Sequence, residues 1–171
     1  MKDWAEAIST IARAAGEQIM AVYAQDFEVS EKADSSPLTK ADLAAHRCIV
    51  SRLPDLDGDL PILSEESAAM AWQERRTWSR YWLVDPLDGT REFIKKNGEF
   101  TVNIALIENG EPVLGVVYAP VIDWLLVGGR GFGAHWQRAG ASGPAAVAKA
   151  GNPLRVAASR SHRDVKTQEY L

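Results

Sequence analysis

Residues 85–90, Asp-Pro-Leu-Asp-Gly-Thr, are the segment that most narrowly constrains what this chain can fold into. They follow the apolar run 81–84, which has the length and composition of a buried strand. Proline has no N–H to donate to a neighbouring strand, so the strand is predicted to end at Asp85. Asp88-Gly89 then marks a tight turn, because glycine adopts backbone conformations that other residues avoid. The sequence therefore predicts a strand that ends in a turn and presents two carboxylates at one edge of a sheet.

Further acidic and helix-starting residues flank this turn. Thr90 is predicted to cap a short helix over 91–96, whose free N–H groups would attract an anion. Upstream, Glu65 and Glu66 follow the short apolar strand 61–64. Carboxylates gathered in this way repel one another unless a cation lies between them, and Mg²⁺ is usually held by one or two carboxylates plus phosphate oxygens. The pattern favours a divalent-metal site that faces a phosphate, over the alternative that the aspartates merely stabilise a turn.

The remaining periodicities predict an α+β fold with a mostly antiparallel sheet. Apolar residues recur at helical spacing near the N-terminus, at Trp4, Ile8, Ile11, Ala15, Ile19 and Val22. Further helices are predicted over 39–53 and 68–77, and strands over 27–32, 61–64, 81–85, 101–108, 112–119, 123–128 and 131–136. Asn109-Gly110 is typical of a hairpin turn between two of these strands.

The C-terminal part differs in composition from the rest. Residues 1–138 are predicted to form an N-terminal domain, and 139–153 a mobile linker rich in glycine, alanine and proline. Residues 154–171 would begin a second domain, with a strand over 154–157 and a helix from about His162.

Charge and cysteine content narrow the function classes. The net charge of −4 gives no indication of a surface for a nucleic acid polymer, although a small nucleotide can be bound locally. The single Cys48 cannot form an internal disulfide, which suits a reducing compartment. Charged residues interrupt the N-terminal helix, so it is not a signal peptide, and no run reaches the roughly 18 apolar residues of a membrane span. These features predict a cytoplasmic protein and leave room for peripheral association with the inner membrane.

The segment 85–93 resembles the signature of the inositol monophosphatase superfamily, a group of magnesium-dependent, lithium-sensitive phosphatases. Segments 36–42 and 159–162 are similar to two further blocks of that family. The continuation from Ile94 to Ile107 is similar to its bacterial 3'(2'),5'-bisphosphate nucleotidase branch. The resemblance runs from about Ala5 to the last residue, and it implies the layered α/β sandwich of this family.

The resemblance implies two or three Mg²⁺ ions in the active site. Their ligands would be the side chains of Glu65, Asp85 and Asp88 and the backbone carbonyl of Leu87, with Asp85 bridging two ions. Glu66 would act around this site rather than as a direct ligand.

The resemblance also implies catalytic and substrate-binding roles. Asp42 and Thr90 would position and deprotonate the attacking water. The substrate would be bound by the N–H groups of Gly89 and Thr90 and by the side chains of Lys32, Ser161 and His162. For these last three side chains, an ordinary solvated surface position is the open alternative.

One departure from the family pattern concerns the C-terminal end. Family members usually carry another metal-binding aspartate in a Trp-Asp-x-Ala-Gly-like block, and the 171 residues here contain no such block. The chain is therefore expected to correspond to roughly the first two thirds of a family member.

The activity implied by the resemblance is hydrolysis of adenosine 3',5'-bisphosphate to AMP and phosphate, by metal-activated water and without a covalent intermediate. Inositol monophosphatase activity and an inactive metal-binding fragment are the alternatives. The partner is then a small nucleotide, and a homodimer is among the assemblies that the resemblance allows.

Overall fold

The computed structural model describes residues 1–26, 29–31, 37–68, 70–151, 153, 155–159 and 165–170. Lys32, Ser161 and His162 lie outside these ranges, so their substrate-binding roles stay predictions.

The strands of the described residues are β1 (Val29–Glu31), β2 (Pro37–Thr39), β3 (Ile62–Ser64), β4 (Arg80–Asp88), β5 (Thr101–Glu108), β6 (Glu111–Ala119), β7 (Trp124–Gly129), β8 (Gly133–Arg138) and β9 (Ala141–Pro144). Seven of them form one sheet in the order β3-β4-β5-β6-β7-β8-β9. Only β3 and β4 are parallel in this sheet, and the other neighbouring pairs are antiparallel. A separate hairpin pairs β1 with β2. The α+β fold and the mostly antiparallel sheet are confirmed.

The helices are α1 (Lys2–Tyr23), α2 (Lys40–Val50), α3 (Trp72–Arg75), α4 (Thr90–Ile94) and α5 (Val165–Tyr170), with 3₁₀ turns at Leu53–Asp55 and Pro120–Ile122. The two longest, α1 and α2, cover one face of the sheet. The predicted apolar stripe of α1 is buried, and Ile8 and Ile19 are fully inaccessible. α1 packs on α2 and β6, while α2 also reaches β4. The core therefore lies between these helices and β4–β7, on the opposite side from Leu83 and Val117, which are 41% and 44% exposed.

Strand β4 does not end at Asp85, so this prediction is wrong. The strand runs on to Asp88, and its register against β5 shifts between Asp85, which faces Asn103, and Asp88, which faces Thr101. Pro86 falls inside this irregular stretch, where the ladder is interrupted and a missing N–H costs little. Because of this shift, Asp85 is the last residue of the regular pairing and Asp88 lies just beyond the irregular stretch.

The cap of α4 also differs from the prediction. Gly89, not Thr90, is the N-cap residue, and Thr90 is the first residue of the helix. Gly89 has φ 96°, and a Cβ on it would lie 2.8 Å from the carbonyl oxygen of Glu99. Glycine is required here by both the backbone conformation and the close approach of a neighbouring chain segment.

Several other element boundaries differ from the predicted ones. α3 covers only Trp72–Arg75 of the helix predicted over 68–77. Residues 141–144, predicted as part of the linker, form β9, in which Gly143 pairs with Trp136 and lies beneath its indole ring. Residues 155–157, expected in a strand, are irregular, and α5 covers Val165–Tyr170 of the helix predicted from about His162, whose first residues lie outside the described ranges. The domain boundaries themselves stay predictions.

The close packing of α1 on β6 gives a testable prediction at Gly16. A Cβ there would lie 2.5 Å from Cε1 of Tyr118, so Gly16→Ala must displace the ring or the helix. We expect a loss of about 1–3 kcal/mol in the free energy of unfolding, the usual cost of overpacking. Without that contact, the same change inside a helix stabilises by roughly 0.5–1 kcal/mol. Urea unfolding measures whether the free energy of unfolding falls or rises in the Gly16→Ala variant.

Gly58→Ala is the matched control, since a Cβ there meets only the carbonyl oxygen of Pro54 at an ordinary 3.6 Å. It should be neutral or slightly stabilising. A stabilised Gly16→Ala variant would contradict the close approach of α1 to β6.

Candidate active site

The N-terminus of α2 holds Asp42 in a fixed orientation. Thr39 is the N-cap, and its hydroxyl accepts the N–H of Ala41 at 3.2 Å. Asp42 Oδ2 accepts the backbone N–H of Thr39 at 2.8 Å and its hydroxyl at 2.6 Å. This is a capping box, in which two orphan N–H groups of the first turn are satisfied reciprocally. Asp42 is fully buried, so these bonds leave its carboxylate little freedom.

The other carboxylate oxygen of Asp42 points to α4. Its Oδ1 accepts the hydroxyl of Thr90 at 3.1 Å, and the same hydroxyl lies 3.3 Å from the carbonyl oxygen of Leu87. Asp42 and Thr90 are far apart in sequence but are brought into direct contact, as the resemblance implied. α2 and the strand–turn–helix segment thereby share a buried hydrogen-bonded junction.

The acidic residues gather beside this junction. The N–H of Glu65 donates to the carbonyl of Val84 at 3.0 Å, which places Glu65 next to the end of β4. Burial raises the pKa of Asp85 from its ordinary 3.8 to about 8, assisted by the negative charges of Glu65 and Asp88 and by a hydrogen bond with Glu65. A hydrogen bond between two carboxyl groups requires that one is protonated. The three side chains therefore repel one another when all are ionised.

Asp85 also carries an unsatisfied polar atom. Its Oδ1 is buried and has no hydrogen-bond partner among the described residues. A buried carboxylate oxygen without a partner costs free energy, and a cation is the natural group to remove that cost.

These oxygen donors fit magnesium. In the described part of the chain, no three His, Cys, Asp or Glu side chains are close enough to surround one ion. Mg²⁺, however, keeps several waters and needs only one or two carboxylates per ion. Glu65, Asp85 and Asp88 with the Leu87 carbonyl meet that need if Asp85 is shared between ions. The donor set contains oxygen alone, which suits Mg²⁺ rather than a softer metal.

Three residues that sequence reasoning did not assign to the site support it. Asn103 on β5 donates its side-chain amide to Asp88 Oδ2 at 3.2 Å. The Thr101 hydroxyl lies 3.2 Å from Asn103 Oδ1 and donates to it. Thr39 holds Asp42, as described above. The polar residues at alternate positions 101 and 103 of an otherwise apolar strand were the available indication of this face.

A groove of about 450 Å³ borders the carboxylates on the sheet face away from α1. Its lining includes Leu83, Gly115 and Val117 together with Asp85 and Asn103. The acidic cluster therefore opens onto an apolar surface.

The structure brings together the described residues that the resemblance assigned to the site, namely Asp42, Glu65, Asp85, Leu87, Asp88, Gly89 and Thr90. Their roles as ligands and catalysts stay predictions.

The raised pKa of Asp85 predicts a pH-dependent stability for the metal-free protein. The unfolded chain releases this proton near pH 3.8 and the folded chain near pH 8, so stability falls as pH rises between them. Asp85→Asn removes the titrating group. We expect it to raise the melting temperature in EDTA, and to do so more at pH 8 than at pH 5. Each 1 kcal/mol corresponds to about 2–4 °C for a chain of this size.

Asp59→Asn is the control, because Asp59 is exposed in a turn and should shift the melting temperature little at either pH. An equal effect of Asp85→Asn at both pH values would contradict the raised pKa.

Comparison with known proteins identifies the family of the chain. The model of the "Inositol monophosphatase family" matches residues 1–171. The chain is 52% identical over 168 residues to the 3'(2'),5'-bisphosphate nucleotidase CysQ of Salmonella typhimurium, covering 97% of this chain and 67% of that protein. It is 51% identical over 166 residues to the protein of the same name from Escherichia coli K12, covering 96% of this chain and 66% of the relative.

A solved structure shows the same fold. The crystal structure of CysQ from Bacteroides thetaiotaomicron, described as a bacterial member of the inositol monophosphatase family, has a TM-score of 0.75 and 41% identity. The match covers 99% of this chain and 67% of that one. The chain thus spans about two thirds of the length of these relatives. On the strength of the family match, the sequence identity and the shared fold, the chain belongs to the inositol monophosphatase family.

Proposed function

We propose that this chain carries the metal-binding half of a Mg²⁺-dependent phosphatase that converts adenosine 3',5'-bisphosphate to AMP and phosphate. The observation that carries the proposal is Asp85, whose buried oxygen has no partner and whose pKa is raised beside Glu65 and Asp88. A strongly perturbed carboxyl in a cleft is typical of a functional site. The substrate is proposed from the name of the relatives, which are 51–52% identical to this chain.

The proposed metal ligands are Glu65, Asp85, Asp88 and the Leu87 carbonyl. Bound Mg²⁺ would supply charge stabilisation for the phosphoryl group and would lower the pKa of the attacking water. Asn103 would hold the Asp88 carboxylate in place through its 3.2 Å hydrogen bond. Because Asp85 is protonated in the metal-free protein at neutral pH, ion binding must displace that proton.

Thr90 and Asp42 are proposed to handle the proton of the attacking water. The Thr90 hydroxyl donates to Asp42 Oδ1, which leaves the lone pairs of Thr90 Oγ free to accept a hydrogen bond from water. As the water attacks phosphorus, its proton passes to Thr90 Oγ while the hydroxyl proton of Thr90 passes to Asp42. The bond from phosphorus to the 3'-oxygen of the nucleotide breaks, and this oxygen takes a proton from solvent to become the 3'-hydroxyl of AMP. Two bonds from Thr39 keep the carboxylate aligned for that transfer. The N–H groups of Gly89 and Thr90 are proposed to hold the phosphate.

Inositol monophosphatase activity and a non-catalytic metal-binding role are the competing proposals. The segment 91–99 favours the nucleotidase, since it follows the nucleotidase branch rather than the wider family. In the part of the chain that the structure describes, none of the helices has the length and apolar character needed to cross a membrane. A cytoplasmic location and a homodimer stay predictions.

Phosphate release decides among these proposals. We expect this chain with Mg²⁺ to release phosphate from adenosine 3',5'-bisphosphate faster than from inositol 1-phosphate, and Li⁺ to inhibit the release. The Salmonella relative serves as the positive control. Faster release from inositol 1-phosphate would favour the monophosphatase. No release by this chain, when the relative is active, would contradict catalysis by these 171 residues alone.

The proton path predicts the effect of changing Thr90. Thr90→Val keeps the shape of the side chain but removes the hydroxyl, and we expect kcat to fall roughly 10²–10⁴-fold, the usual contribution of general acid–base catalysis. Thr90→Ser keeps the hydroxyl and should retain most of the activity. The measurement is steady-state kcat at saturating Mg²⁺.

Thr77→Val is the matched control, since the Thr77 hydroxyl bonds only to the Glu74 carbonyl on an exposed turn. It should leave kcat unchanged. Wild-type activity in Thr90→Val would exclude Thr90 from the proton path.

A further inference from the structure

His46 lies one helical turn beyond Asp42 on the same face of α2. Its Nδ1 is 2.8 Å from the hydroxyl oxygen of Ser64, the last residue of β3. Ser64 is 5% exposed and His46 is half-buried, so this contact is partly shielded from solvent. No pattern in the sequence assigns His46 to the site. The structure gives it a specific partner next to the acidic cluster.

Ser64 begins the turn that carries Glu65. The carbonyl of Ser64 accepts the N–H of Ser67 at 3.1 Å, which closes the turn 64–67. The N–H of Glu65 is held by Val84 at 3.0 Å, so the backbone of Glu65 is attached to β4. The side chain of Ser64 adds a third attachment, to α2, through His46.

The imidazole of His46 is suited to this contact at neutral pH. Burial and the charge of Arg47 lower its pKa, so the ring is neutral there. A neutral ring has one nitrogen that donates and one that accepts. Since the serine hydroxyl can do either, both tautomers can form the bond.

α2 therefore contacts both chain segments that carry the candidate metal ligands. Asp42 holds Thr90, at the end of the segment 85–90, and His46 holds Ser64, immediately before Glu65. Both contacts come from residues four apart on one helix, so their spacing is set by the helix itself.

We propose that His46 is a positioning residue, which sets the turn 64–67 against α2 and thereby the place of Glu65 relative to Asp85. Groups that orient metal ligands commonly change metal affinity by roughly 10–100-fold when they are removed. The consequence for metal binding rests on the proposed function, whereas the positioning of the turn does not.

Amide hydrogen exchange tests the positioning directly. His46→Leu should make exchange at the amides of Glu65 and Ser67 about fivefold faster or more, as expected for one lost hydrogen bond. The amides of the core residues Ile104 and Leu114, which do not pair with β3, report global stability and serve as the internal reference. His46→Asn, whose amide can occupy the place of Nδ1, should restore most of the protection. His135→Leu is the control, since His135 is exposed on β8.

Binding of Mn²⁺ alone, followed by electron paramagnetic resonance, tests the consequence for the site. We expect His46→Leu and Ser64→Ala to weaken binding roughly tenfold or more, and His46→Asn and His135→Leu to leave it near the wild-type value.

If the wild-type chain binds no Mn²⁺, the proposed function fails, and hydrogen exchange still decides the positioning. Unchanged exchange at Glu65 and Ser67 in His46→Leu would overturn the proposal. So would equal exchange in His46→Leu and His46→Asn, or an unchanged Mn²⁺ affinity in His46→Leu.

Discussion

The interaction on which the site depends is the repulsion among Glu65, Asp85 and Asp88. Burial of Asp85 beside two further carboxyl groups keeps it protonated at neutral pH in the absence of a cation and leaves one of its oxygens without a partner. Such an arrangement lowers the stability of the metal-free protein, so the rest of the fold must hold the carboxylates in place. A cation that supplied the missing partner would recover this free energy, because a ligand that binds only the folded state stabilises it.

Two features of the fold keep these groups together. Below the carboxylates, β4 places Trp82, Val84 and Leu87 in the core, so the strand is anchored by apolar packing before its polar end begins. Beside them, α2 serves as a common support, whose first two turns contact both acidic segments. Asp42 is itself held by Thr39 through a capping box, so the start of the helix and the orientation of the carboxylate depend on one another. A change to either is expected to alter both stability and the site.

The comparisons and the geometry point in the same direction by separate routes. Family membership rests on a match along the whole chain, and the relatives named as bisphosphate nucleotidases share about half of its residues. The geometry adds three observations on the chain itself. The buried Asp85 Oδ1 has no partner, the Thr90 hydroxyl lies between two acceptors, and an apolar groove borders the acidic cluster. The chain spans about two thirds of the length of those relatives. The phosphate-release assay therefore tests whether these residues form a complete substrate site.

The sequence by itself determined the features that depend on local pattern. The apolar face of α1, the hairpin at Asn109-Gly110 and the strand–turn–helix around Gly89 follow from periodicity and from the backbone freedom of glycine, which act over a few residues. The pairing of Asp42 with Thr90 came from family resemblance, because nothing in the spacing of two residues so far apart specifies a contact.

Tertiary structure alone decided the rest. β4 continues past Pro86 because β5 accepts a shifted register, and β9 forms because Trp136 covers Gly143. Asn103 and His46 join the site only when the sheet and α2 are assembled, and the pKa of Asp85 rises only when packing removes water from it, since desolvation depends on residues distant in sequence.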